Sequence, residues 1–96
     1  MLTSLKAATD CLRATLAAAQ AEHDQRPDLV DGPDGPECEW AAYERALMHE
    51  KVNEIRSARG LPAVPVEDIL HVERQAVGHS DYSRKFAFYC AEIAQK

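Results

Sequence analysis

The sequence predicts an all-α protein: one domain, a four-helix bundle with two long antiparallel helices followed by a shorter helical hairpin. Three observations lead there. Apolar residues recur at steps of three and four over four separate stretches. Pro and Gly punctuate the chain between those stretches. No stretch alternates with period two for long enough to read as a strand. At 96 residues there is room for a single core.

The first helix is expected over about 3–24. Leu2, Leu5, Thr9, Leu12, Leu16 and Ala19 share one face, and the alanines among them favour helix and close approach. Pro27 stops it, since its ring removes a donor and disfavours helical backbone one residue earlier. Residues 25–35 then read as an irregular connection, with Pro27, Pro33 and Pro36 and two glycines at or beside it. Leu29 and Val30 are its only apolar anchors.

A second helix is expected over about 36–59. Pro36 suits a first turn, Glu37 and Glu39 suit the positive helix end, and Gly60 suits a left-handed stop, with Leu61 and Pro62 after it. The third, about 65–77, carries Glu67 and Asp68 early and ends at Gly78. The fourth, about 80–95, has Ser80 as its expected N-cap and Tyr82, Phe86, Tyr89 and Ile93 as its buried stripe.

Helix faces supply the candidate sites. On the second helix Trp40, Tyr43, Leu47 and Ala58 flank one side of a wide apolar arc. Ala41, Met48, Val52 and Ile55 flank the other, with Glu44 and Lys51 between. The arc is wider than packing on one neighbour requires: either the helix packs on two neighbours with Glu44 and Lys51 as a charged seam between them, or Trp40, Tyr43 and Leu47 meet a partner or a second copy. Phe88 falls off the stripe of the fourth helix and joins that set. The opposite face of the second helix shows Arg45, His49, Asn53 and Arg56 with no acid between them. It is expected to be solvated, and a phosphate-contacting stripe is the alternative.

The third helix places Val66, Ile69, Leu70, Ala76 and Val77 on its core face, with Glu73 in the middle. A buried carboxylate there needs a cation, for which Lys51 and Arg84 are the candidates. Glu73, His79 and Tyr82 together mark a corner for a ligand as a further alternative.

The formal charge of −5 is unevenly placed. Glu22, Asp24, Asp28, Asp31, Asp34, Glu37 and Glu39 face only Arg26, whereas acids and bases cancel after residue 40. Asp28, Asp31 and Asp34 are thus expected to draw a protein partner with a basic surface, and the net charge weighs against nucleic acid.

No metal site, cofactor or catalytic constellation is expected. His71 with Glu67 or Asp68 has no second copy of the pattern, and residues 28–35 lack the acidic ladder of a calcium loop. His79-Ser80-Asp81 project in different directions and make no triad. Cys11, Cys38 and Cys90 are too scattered for a framework and read as reduced thiols. With no apolar run of the ~20 residues that span a bilayer and no leader-like start, the expectation is a cytoplasmic, self-associating interaction protein, a homodimer, and not an enzyme.

Overall fold

The computed structural model describes residues 4–22, 29–32 and 35–96, with side chains for 4–21 and 41–96. Its order is α1 (Leu5–Glu22), β1 (Leu29–Gly32), β2 (Gly35–Cys38), α2 (Glu39–Ala58), α3 (Val66–Ala76) and α4 (Tyr82–Ala94). The class is all-α. α2 and α4 each touch every other helix, while α1 and α3 lie on opposite sides of that pair and do not meet.

α1 starts where Ser4 Oγ accepts the Ala7 N–H at 3.0 Å, satisfying one donor of the free helix end. Ala8, Leu12, Leu16 and Ala19 are its buried stripe. The most extensive helix contact is α1 with α4. On α4 the buried face is Phe86, Ala87, Cys90, Ala91 and Ala94. Tyr82, Tyr89 and Ile93, read from sequence as the buried stripe, are only half-buried and pack at its edge. Small side chains occupy the centre because they let two helix backbones approach closely.

The connection between α1 and α2 corrects the sequence reading. β1 and β2 form an antiparallel ribbon, Leu29 opposite Cys38 through Gly32 opposite Gly35, where 25–35 reads as an irregular loop. The second helix consequently opens at Glu39 and not at Pro36, which stands in β2. Three prolines exclude a central strand, but a two-stranded ribbon consists of edges, where a missing N–H is tolerated. The ribbon packs against α2.

α2 ends in a Schellman motif. Gly60, at φ 75°, donates to the Ser57 carbonyl at 3.1 Å, and Leu61 donates to Arg56 at 2.8 Å. α3 leaves by a type II turn: Val77 at φ −61°, ψ 134° and Gly78 at φ 94° bring the His79 N–H to the Ala76 carbonyl at 3.2 Å. Ser80 does not cap α4. The N-cap is Asp81, whose side chain makes no cap bond and lies instead 4.0 Å from Arg84 Nη1.

α3 is rotated relative to the sequence reading. Ile69, Val72, Glu73 and Ala76 are buried, whereas Val66 and Val77 are 38% and 65% exposed and Leu70 is half-buried. Among the described residues, no helix is long and apolar enough to cross a membrane.

A Cβ at Gly60 would meet nothing within 4 Å, so Gly60→Ala isolates the backbone strain of its left-handed conformation. We expect a loss of about 1–2 kcal/mol, seen as a lower thermal midpoint by circular dichroism, and a smaller loss for Gly60→Asn.

Candidate functional site

Arg45, His49, Asn53 and Arg56 do not form a solvated stripe. Arg45 and Arg56 are buried, and His49 and Asn53 are half-buried. The reason is the extended segment 61–65, which crosses this face of α2 with its peptide groups turned toward it. Pro62 and Pro65 lack N–H groups and hold it extended, so it has few donors of its own.

Asn53 matches both backbone groups of one residue with the two ends of its amide. Its Oδ1 accepts the Val64 N–H at 2.9 Å and its Nδ2 donates to the Val64 carbonyl at 3.2 Å. His49 Nε2 lies 2.8 Å from the same carbonyl. The same nitrogen lies 3.1 Å from Asn53 Nδ2, so His49, Asn53 and the Val64 carbonyl form one polar cluster. Arg56 donates from Nε to the Pro62 carbonyl and from Nη1 to the Ile93 carbonyl, each at 2.7 Å. Ile93 lies in the last turn of α4, where a cation is favoured, and its carbonyl also accepts the Lys96 N–H at 3.3 Å. The polar face of α2 is therefore a clamp that joins the α2–α3 connection to the end of α4.

Arg45 reaches the other way. Its Nε and Nη2 both meet Glu73 Oε1, at 2.9 and 2.8 Å, with side-chain exposures of 10% and 8%. The buried carboxylate thus pairs with a cation from another helix, but that cation is neither Lys51 nor Arg84. Lys51 pairs with Glu54 at 3.5 Å, and Arg84 lies beside Asp81. Glu44 is also buried.

Of the proposed corner, Glu73 and Tyr82 come together and His79 stays exposed. Burial, and then the Glu73 and Glu44 carboxylates, push the Tyr82 phenol far above its ordinary range. Burial and Glu73 do the same to the Cys90 thiol. Such a thiol stays protonated, which makes it a packing group and a poor nucleophile.

Between α3 and α4 runs an open groove of about 510 Å³. Val64, Val72, Tyr89 and Ile93 supply its apolar lining, and Asp68 and Glu92 stand among its polar residues. His71 and Gln75, on its rim, bond each other at 3.2 Å. Among the described residues no three His, Cys, Asp or Glu side chains converge as metal ligands.

The aromatic candidates divide. Tyr43 is 40% exposed, Leu47 is half-buried and Phe88 is 37% exposed, with its ring edge-on to Tyr89 at 6.0 Å. Asp28 and Asp34 lie outside the described residues, as do the side chains of Asp31 and Trp40. Sequence reasoning missed Val64 and the clamp on it. The available signal was a polar helix stripe with no acids to pair it, followed closely by the Pro-bounded stretch Pro62-Ala63-Val64-Pro65.

Set against known protein families, curated proteins and solved structures, the chain matches none.

Replacing Asn53 by Ala leaves the Val64 N–H without its acceptor. The expected loss is about 1–3 kcal/mol. Roughly 4–8 °C of melting temperature goes with each kcal/mol in a domain of this size, and the Val64 amide should lose its hydrogen-exchange protection.

The raised thiol and phenol give stability an alkaline limit. The unfolded chain releases these protons near 9.0 and 10.0, but the fold holds them. Their contribution is complete below pH 9 and is lost as pH climbs toward the raised folded values, by up to about 1.4 kcal/mol per pH unit for each group. Denaturant midpoints measured from pH 7 to 11 should fall from pH 9 upward, and Cys90→Ala should postpone the onset.

Proposed function

We propose that the protein acts by protein–protein contact, as a regulator, adaptor or inhibitor, and that it self-associates as a dimer. The observation that carries this reading is the outer flank of α2. Tyr43 and Leu47 reach the surface on the side turned away from the buried Met48, Val52 and Ile55. The same helix bears the ribbon, whose surrounding segment holds the acidic excess. An aromatic anchor next to charge is the usual make-up of an interface centre and rim.

Trp40, one turn before Tyr43, belongs to the same flank by sequence position, and Phe88 on α4 adds a second aromatic contact. Asp28, Asp31 and Asp34 bias the choice toward a partner with a basic surface, raising association rate more than final affinity. Clamp residues are not part of this surface, because Arg45, Asn53 and Arg56 already bond protein groups. The reading requires no cofactor, and a reducing cytoplasm suits Cys11 and Cys90 as free thiols.

The test combines light scattering with affinity capture from the native host. We expect a dimer whose dissociation constant rises about tenfold or more in Tyr43→Ala/Leu47→Glu, as hot-spot residues require, with the melting temperature unchanged. Capture of a basic partner should weaken when Asp28, Asp31 and Asp34 become Asn, and weaken further with added salt. A strict monomer at high concentration, with captured proteins indifferent to both sets of changes, would overturn the proposal.

A further inference from the structure

α3 carries two overlapping apolar faces and uses the less apolar one. A rotation centred on Val66, Ile69, Leu70, Ala76 and Val77 would bury two more valines and a leucine in exchange for Val72. The helix sits roughly 55° away from that rotation, at 3.6 residues per turn. Ile69, Val72 and Ala76 face the core, and Val66 and Val77 face solvent.

Apolar burial alone therefore selects the wrong face. Glu73 separates the two arrangements. With Val66, Leu70 and Val77 inward, Glu73 would stand in the middle of the packed face, with its carboxylate among apolar side chains. In the observed rotation it sits at the edge of the buried face, where both Arg45 nitrogens reach Oε1 at 2.9 and 2.8 Å. Arg45 is itself buried at 8% and held on the core-facing side of α2 near Met48 and Val52 in the helical repeat. A carboxylate held at this depth demands a cation, and the cation stands at one angular position.

We infer that the Arg45–Glu73 pair sets the rotation of α3, choosing between two apolar faces of one helix. The choice reaches the surface. It directs Val72 with Asp68, His71 and Gln75 to the groove against α4, and it leaves Val66 and Val77 on the outside. The pair is a positioning device whose contribution is to specificity more than to stability.

The test is methyl NMR of the full chain carrying Arg45→Met/Glu73→Leu, with a soluble paramagnetic probe reporting exposure. The expected result is a folded protein in which Val66 and Val77 lose several-fold in probe relaxation and gain contacts to core methyls, while Val72 becomes exposed. Adding Val66→Ser/Val77→Ser removes the competing face and should return Val72 to the core. Glu73→Gln, which keeps an acceptor for Arg45, should retain the native pattern. A double variant that folds with Val72 protected and Val66 and Val77 exposed, as in the unaltered chain, overturns the inference. So does a double variant that does not fold and is not rescued by the serine pair. Loss of a single fold that the serine pair restores supports it, since only competition between faces predicts that rescue.

Discussion

A helix bundle this small has to decide where its third helix sits, and here polar side chains of α2 make the decision. Six of the fifteen buried apolar residues described are alanine. Alanine brings backbones together but fills little volume, so it specifies orientation weakly. α1 and α4 can rely on it because they meet along their lengths. α3, eleven residues long, has less to bury. Arg45 fixes its body, while His49, Asn53 and Arg56 fix the segment that leads into it.

These bonds have a cost that shapes the rest of the structure. A charge inside a protein is tolerated when its partner is present and is strongly destabilising when the partner is removed. Arg56 meets this condition through two carbonyls, one of them at the end of α4, so the helix that closes the chain is tied to the segment that precedes α3. The surrounding groups follow. Burial, reinforced by the Glu73 carboxylate, keeps the Tyr82 phenol and the Cys90 thiol protonated well above their ordinary ranges.

Much of the helical frame is legible in the sequence, and the reasons are local. Leu12, Leu16 and Ala19 recur at helical spacing and are buried, and Gly60 and Gly78 both take the positive φ that only glycine adopts readily. What escapes is what depends on neighbours distant in sequence. The stripe from Arg45 to Arg56 has the composition of a solvated face, and only the return of residues 61–65 across it makes it interior. Apolar counting misplaces the α3 face because it gives Glu73 no directional weight. The ribbon leaves no sequence signal because two four-residue strands are too short for alternation to stand out, and Pro36 argues against strand wherever a sheet has more than edges. Of the candidate surface, Tyr43 and Phe88 were legible as aromatics off the main stripe, whereas the groove between α3 and α4 has no sequence signature.

The clamp on Val64 also works as a ruler. Asn53 engages the N–H and C=O of a single residue, and the Schellman turn at Gly60 fixes where the measurement begins. Three residues separate Gly60 from Val64, and adding or removing one would present the wrong residue to the amide. Surface connections usually tolerate changes in length because little depends on their register. This one behaves like a strand in a sheet, and drift in its length would be coupled to the contacts of two helices at once.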